Sequence, residues 1–345
     1  MTTPPLRAAI VGAGLMGSWH ARYAARNRAQ VVAIVDPDAG AANRLRAGFP
    51  AAAVFANLAT MLAAAAPDVV HICTPVQTHA ELAKAALERH THVIVEKPLA
   101  VDAAQTRQLL DIADAAGMVL CPVYQFPFQH GFRRAEDWLR AHGPPLRVDL
   151  TICSAGAQRV GPGGGEQLVR EILPHPISVI CMLTGHDVVD PSGWTVASTV
   201  EGEFFASGGV GSVEASICIS TRARPPRAEA RVLSASGTLH LDFFHGYSVV
   251  QRARGGRIGK IMLPFEGAVV QSGGAARNLL RRTLAREPAY PGLATLIGAF
   301  FAAARQTGSP PFSRTLIEAI AGWCDFLEIR GSHEAPTRRI DVSQG

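Results

Sequence analysis

Lysine is nearly absent from this chain. Only Lys84, Lys97 and Lys260 occur among its 33 basic residues. Arginine therefore carries almost all the positive charge, and a lysine at a particular place needs a reason. Long apolar runs are also missing. No stretch of about 18 uninterrupted apolar residues occurs, so no membrane-spanning helix is expected. The N-terminal Met-Thr-Thr-Pro-Pro-Leu-Arg lacks an apolar signal core. The six cysteines (Cys73, Cys121, Cys153, Cys181, Cys218, Cys324) are far apart, form no Cys-x-x-Cys, and mostly lie in apolar stretches. They read as buried thiols in a reducing compartment, and a cytoplasmic protein is expected. No Lys/Arg block accompanies the net charge of +5, which argues against a nucleic-acid partner. His and Cys spacing offers no metal set, so no metal is expected. Gly-x-Ser-x-Gly is absent, and with it the elbow of a serine hydrolase.

What is present begins at once. Ala8 to Val11 is a short apolar strand that runs into Gly12-Ala-Gly14-Leu15-Met16-Gly17, where a helical pattern starts. Gly12 suits a tight turn. Gly14 leaves the backbone open to a pyrophosphate, and Gly17 permits close packing of helix on strand. The helix N-terminus supplies free N–H groups and the positive end of a dipole. Leu15 and Met16 belong to the same dinucleotide-binding loop. A second apolar run, Gln30 to Val35, ends in Asp36. A carboxylate there accepts hydrogen bonds from ribose hydroxyls and repels a 2′-phosphate, which favours NAD over NADP.

With 345 residues, 48% hydrophobic and 18% charged, the chain is long enough for two domains. The first third alternates strand and helix. Strands are expected at 6–11, 31–35, 53–55, 69–73, 92–95 and 119–123. Helices are expected at 15–27, 38–47, 58–65, 78–90 and 102–116. Continuous apolar strands between helices indicate an α/β unit with a doubly wound parallel sheet. After about residue 122 the rhythm changes. Strands at 146–154, 194–206, 210–220, 228–235 and 238–244 are separated by Gly, Pro and Ser turns, with a hairpin at Ser234-Ala-Ser-Gly237. Helices are expected at 130–142, 166–184, 292–306 and 313–328. This second part reads as α+β with a mostly antiparallel sheet. The expected division is 1–122 for dinucleotide binding and 123–345 for substrate binding and oligomerisation. Gly161 to Gly165 and the polar tail from about 331 read as mobile. Arg277, Arg281, Arg282 and Arg286 alternate with Leu279, Leu280 and Leu284. They read as a basic amphipathic helix, either a solvated face over the core or a contact for an anionic partner.

Four further motifs follow the glycine loop: Thr74-Pro75-Val-Gln-Thr-His79, Glu96-Lys97-Pro98, Gly163-Gly-Gly165 leading to Glu171-x-x-x-His175, and Ser236-Gly-Thr-Leu-His-Leu-Asp242. In this order and spacing they resemble the Gfo/Idh/MocA oxidoreductases, the glucose–fructose oxidoreductase and inositol dehydrogenase family, over nearly the whole chain. The resemblance implies a Rossmann domain followed by a domain with a large open sheet. It also implies a nicotinamide cofactor and hydride transfer at a sugar or cyclitol carbon.

Lys97 has a physical argument of its own. It directly follows an apolar strand whose end faces the expected cofactor crevice. A desolvated lysine can give up its proton, which an arginine cannot. The resemblance makes Lys97 the active-site lysine; a surface lysine in a β–α turn is the plainer alternative. Glu96 orients Lys97 or the cofactor ribose. Pro98 stiffens the turn, where similar enzymes often have a cis bond. His175 is the second candidate, with Glu171 four residues earlier and so on the same helical face. A carboxylate beside an imidazole raises its pKa and fixes its tautomer, which suits acid/base work. The flanking Pro174 and Pro176 disturb that geometry, and a buried structural histidine is the alternative. Thr74, Pro75 and His79 resemble the family's third cofactor loop; His79 reads equally well as a helix-start histidine without a ligand.

Two departures fall in the expected substrate wall. Ser178 stands where many relatives have Asp, and Pro127 takes an Arg place within Tyr124-Gln-Phe-Pro-Phe128. Tyr124 and Gln125, with Lys97 and His175, are the substrate-side candidates. The expected activity is NAD(H)-dependent transfer of a hydride at a hydroxyl or keto carbon of a sugar, cyclitol, polyol or sugar nucleotide. An NAD-recycling glycoside hydrolase and a non-catalytic nucleotide sensor are the rivals. An exposed sheet face near Val200, Phe204, Phe205 and Val213 suggests a homodimer or homotetramer.

Overall fold

The computed structural model describes residues 4–154, 164–186, 190–197, 200–252 and 257–333. Two compact units are distinguished: Met1–Arg133 with Arg282–Gly322, and Arg134–Arg281 with Trp323–Gly345. The expected division after residue 122 differs from this grouping chiefly at the far end, because the chain returns to the first unit at Arg282. Of the segments expected to be mobile, 161–163 and everything beyond 333 lie outside the described residues.

The first unit is built on β1 (Arg7–Val11), α1 (Leu15–Arg26), β2 (Gln30–Val35), α2 (Ala39–Arg46), β3 (Ala53–Phe55), α3 (Leu58–Ala65), β4 (Val69–Ile72), α4 (His79–Leu87), β5 (His92–Val95), α5 (Ala103–Ala116) and β6 (Leu120–Pro122). Side chains of Asp38, Asn57 and Asp102 accept the amides of Gly40, Thr60 and Gln105, so α2, α3 and α5 each begin on a side-chain cap. The strands form one parallel sheet in the order β3-β2-β1-β4-β5-β6. That order reverses between β1 and β4, and ligands of such sheets bind beyond the strand ends at the reversal. One row of side chains crosses the sheet in register as Val54, Ile34, Ile10, His71, Ile94 and Cys121. The three isoleucines and His71 are fully buried.

The chain continues through α6 (His130–His142), β7 (Arg147–Cys153), α7 (Gly164–Ile172), α8 (Pro174–Thr184), β8 (Thr195–Ala197), β9 (Glu203–Val210), β10 (Val213–Ser220), β11 (Arg227–Ser234), β12 (Gly237–Asp242), β13 (Tyr247–Arg252), α9 (Arg257–Leu284), α10 (Leu293–Ala304) and α11 (Arg314–His333). Helix α10 belongs to the first unit. Tyr23 donates to the Ala289 carbonyl at 2.6 Å and Asn27 to the Ala294 carbonyl at 2.9 Å, which ties α1 to the α10 segment. Arg314, at the start of α11, reaches Asp114 and Asp111 on α5, each at 2.6 Å.

The second unit carries a seven-stranded sheet in the order β13-β12-β11-β7-β10-β9-β8. β7 and β10 pair parallel and the other neighbours antiparallel. The Ser234–Gly237 hairpin forms as read. Four details depart from the expectations. The single strand expected at 194–206 is two, β8 and β9, with Gly202 at φ +76° just before the second. β13 and most of α9 were not expected; Pro264 inside α9 hides the helix from a sequence reading. Leu279, Leu280 and Leu284 are exposed, whereas Arg281 and Arg282 are half-buried, so the leucines do not cover a core. Phe204 and Val213 point inward and are buried, which leaves Phe205 and Val200 as the exposed pair.

Among the described residues, no helix is long and apolar enough to cross a membrane.

Candidate active site

The glycine loop has the geometry its spacing implies. Gly12 sits at φ +93°, and a Cβ there would stand 2.6 Å from the Cys73 carbonyl oxygen. A Cβ on Gly17 would stand 1.8 Å from the Gly12 carbonyl oxygen, so α1 is pressed onto the loop it follows. Gly14, the N-cap of α1, has nothing within 4 Å of a built Cβ. Its open flank, the free amides of the first helical turn and the exposed Leu15 form a surface to which a pyrophosphate fits. Met16 is half-buried beside it.

Asp36 stands at the end of β2. Its Oδ2 accepts the Ala13 amide at 2.7 Å, and its Oδ1 accepts the Asp38 amide at 2.8 Å. The carboxylate thus braces the glycine loop and keeps lone pairs for ribose hydroxyls. On the other side of β1, Thr74 and Pro75 follow β4. The Thr74 hydroxyl meets that of Thr78 at 2.7 Å, and Thr78 donates to the Pro75 carbonyl at 2.8 Å.

His79 is buried. Its Nδ1 lies 2.8 Å from the Pro98 carbonyl and its Nε2 2.7 Å from the Thr74 carbonyl. Burial pushes its pKa down, against the upward pull of those two carbonyls. A neutral imidazole donates to one of these carbonyls and only contacts the other, so His79 links the Thr74 loop and the Lys97–Pro98 turn through one hydrogen bond and one close contact. That turn contains a cis peptide bond. Lys97 itself is half-buried just beyond β5.

Glu96 is buried and faces inward. Its Oε1 accepts from His20 Nε2 at 3.1 Å, and its Oε2 accepts the Lys97 amide at 3.3 Å. His20 Nδ1 in turn lies 3.0 Å from His71 Nδ1. Burial works to raise the Glu96 carboxyl. The hydrogen bond from His20 outweighs it, with Lys97 adding to the effect, and holds the group below the usual carboxylate range. His71 is pushed well below the ordinary histidine value by burial. Neither His20 nor His71 stands out in the sequence reading. Two signals were there: His20 lies three residues after Gly17 on the buried stripe of α1, and His71 interrupts the apolar strand Val69–Ile72.

Tyr124 is fully buried, with its ring edge-on to Phe312 at 5.4 Å, and so serves the core of the first unit. Gln125 is half-buried, and its Oε1 has no partner among the described residues.

In the second unit, Glu171 closes α7 and His175 opens α8. Leu173 between them keeps helical dihedrals, and the Leu173 and Ile177 amides donate to the Val169 and Leu173 carbonyls. Pro174 occupies the first position of α8, where a missing N–H costs nothing. The single helix expected at 166–184 is thus two, α7 and α8, joined through Leu173. His175 is buried, and its carbonyl accepts from the Ser178 hydroxyl at 2.8 Å. Glu171 accepts from Gln167 at 3.3 Å. Ser178, in the place of the expected Asp, is thus a backbone clamp on the His175 turn.

A parallel sheet of order 3-2-1-4-5-6, a glycine loop at its reversal and a carboxylate closing β2 define a dinucleotide-binding Rossmann domain. Residues 6–124 match the family model of the NAD-binding Rossmann-fold oxidoreductases, Gfo/Idh/MocA. Over those residues, about a third of its length, the chain resembles that oxidoreductase family. It is 38% identical over 142 residues to D-glucoside 3-dehydrogenase of Escherichia coli, a match covering 41% of this chain and 39% of that protein. It is 38% identical over 194 residues to inositol 2-dehydrogenase 4 of Saccharopolyspora erythraea, covering 54% and 56%. The chain thus spans 39% and 56% of the length of these two relatives. In fold it resembles the WlbA dehydrogenase of Bordetella pertussis, solved with NADH and UDP-GlcNAcA, with a TM-score of 0.75 at 16% identity over 96% of this chain and 97% of that one.

Proposed function

We propose that this protein is an NAD(H)-dependent dehydrogenase acting at a hydroxyl or keto carbon of a carbohydrate-like molecule: a sugar, cyclitol, polyol or sugar nucleotide. The observation that carries this reading is Lys97. It is one of three lysines in the chain. It sits beyond β5, two strands from the sheet reversal, on a turn braced by Glu96 and His79. The named relatives support the substrate class, since they are dehydrogenases of a glucoside and of inositol.

Gly12, Gly14 and Gly17, with the start of α1, would hold the pyrophosphate. Asp36 would hold the adenosine ribose, and Thr74 and Pro75 would line the crevice. Bound NAD⁺ would supply the hydride acceptor. The residues of the chain manage the proton. In oxidation, Lys97 Nζ takes the hydroxyl proton as the carbonyl forms; in reduction, it returns that proton to the developing alkoxide. His175, with Glu171 on the preceding turn, is the second proton-handling residue. The six free cysteines support a reducing, cytoplasmic setting. The exposed Phe205 on the second sheet supports a homo-oligomer.

The test is the appearance or loss of NADH absorbance. NAD⁺ is supplied with cyclitols, aldoses and sugar nucleotides, and NADH with keto-sugars. Turnover of one compound class supports the reading and names the class. Silence in both directions, together with cleavage of an aryl glycoside in the presence of NAD⁺, would replace it with an NAD-recycling hydrolase.

A further inference from the structure

The first unit holds a buried polar chain that its fold does not require. His71 occupies the sheet row otherwise made of Val54, Ile34, Ile10, Ile94 and Cys121. An aliphatic side chain would pack there without desolvating an imidazole. The rings of Phe300 and Phe301 pack edge-on against it, with centroids at 6.3 and 5.7 Å. From His71 the contacts run through His20 to Glu96, and from Glu96 to the Lys97 amide. His20 and His71 are both wholly buried.

The protons in this chain follow from its two ends. An ionised Glu96 only accepts, so His20 must carry a proton on Nε2. His71 Nε2 is buried with no partner among the described residues. A buried nitrogen without a proton leaves no donor unsatisfied, whereas an N–H there would be an unpaired buried donor, so His71 is neutral with its proton on Nδ1. His20 Nδ1 is then the acceptor, and His20 is neutral as well. Each contact has one donor and one acceptor, and every donor points toward Glu96.

We propose that His71 and His20 are positioning residues for Lys97: they deliver one directed N–H donor to Glu96, which keeps that carboxylate ionised and its second oxygen on the Lys97 amide. Neither touches substrate or cofactor in this account. The proposal rests on the dehydrogenase reading only for its kinetic consequence. The wiring itself is independent of any activity. The groups that face Glu96 are His20 from α1, Cys73 from the end of β4, His79 from α4, Tyr290 from the segment before α10, and Lys97 on its own turn. Among these, only His20 donates a side-chain hydrogen bond to it in the described contacts.

The wiring is read first. ¹⁵N-histidine spectra of the full chain between about pH 7 and 8 should show His71 protonated on Nδ1 alone and His20 on Nε2 alone. A coupling across the Nδ1···Nδ1 contact is expected. The opposite tautomers, or either ring as an imidazolium, would overturn the assignment.

Positioning is read with two variants, His20→Phe, which removes the donor, and His20→Gln, whose amide donates from about the same reach as Nε2. In His20→Phe the Lys97 amide proton should move upfield. The acid limb of the kcat profile should move to higher pH, because Glu96 then takes a proton more readily. kcat should fall about tenfold or more, with NADH affinity kept within about twofold. His20→Gln should recover most of each change. An unmoved Lys97 amide in His20→Phe, or equal behaviour of the two variants, would overturn the proposal. NADH affinity and the amide spectrum report folding separately. If the wild type turns over no sugar, the dehydrogenase reading fails, while the tautomers and the Lys97 amide still decide this one.

Discussion

Asp36 Oδ2 accepts the Ala13 amide at 2.7 Å, so the residue that should select the adenosine ribose also braces the loop that should bind the pyrophosphate. Asp36→Ala is therefore expected to do two things at once. It leaves the Ala13 and Asp38 amides without their acceptor, costing about 1–3 kcal/mol of stability. It also removes the charge that repels a 2′-phosphate. NADH affinity should fall about tenfold or more while NADPH affinity changes little. Titration calorimetry with both cofactors checks this. A wild type that already prefers NADPH would contradict the role given to Asp36.

The two later glycines of the loop are expected to separate folding from binding. Gly17→Ala places a Cβ 1.8 Å from the Gly12 carbonyl oxygen, so the loop or α1 must shift. Its melting temperature should drop by several degrees, corresponding to about 2 kcal/mol or more. Gly14→Ala meets nothing within 4 Å and has an ordinary extended backbone. It should melt like the wild type and yet bind NADH at least about tenfold more weakly, because the methyl fills the pyrophosphate approach. Equal stability loss in both variants would contradict the geometry.

Acid should loosen the first unit before the carboxylates titrate. The folded-state pKa of His71 lies well below its ordinary value because the ring is buried. The unfolded chain then binds the extra proton, and stability rises with pH up to the unfolded value. Its contribution is complete above about pH 6.5 and is lost below it, with a slope of up to about 1.4 kcal/mol per pH unit. His79 and His92, in the same unit, are displaced downward by burial in the same sense and add to the slope. Glu96 enters lower, with stability present above about pH 4.3 and lost as the pH falls through its depressed folded value. Urea midpoints between about pH 7.5 and 5.5 should fall in the wild type and fall less in His71→Leu. Parallel curves would show that His71 does not carry the effect.

Much of this was legible in the sequence, and the remainder had physical reasons to be hidden. Val69–Ile72 and His92–Val95 read as buried parallel strands because each is a short run of apolar side chains after a turn signal. The Ser234–Gly237 hairpin was legible from its turn residues. α9 was not, since Pro264 and several glycines break the helical pattern that the fold nonetheless adopts. Nor could spacing show that the chain returns to the first unit at Arg282, because that is a matter of tertiary packing. Lys97 and Glu96 were found as neighbours in one motif. His20 and His71 were missed because α1, β4 and β5 bring them to Glu96 from positions 51 and 76 residues apart in the contacts they make. A histidine in an apolar strand of a parallel sheet is the signal that was available, since a buried imidazole implies a partner. His79 looked like a cofactor contact by motif. It read equally well as a helix-start histidine without a ligand, and its ring lies between the Thr74 and Pro98 carbonyls.

The central claim is that Lys97 handles the proton in a hydride transfer. The most direct measurement is NADH formation and consumption by wild type and Lys97→Met, side by side, at saturating cofactor and with a turned-over carbohydrate. The account predicts that kcat falls by about 10²-fold or more in Lys97→Met, with NADH affinity kept within about twofold. Wild-type turnover in the variant would contradict it.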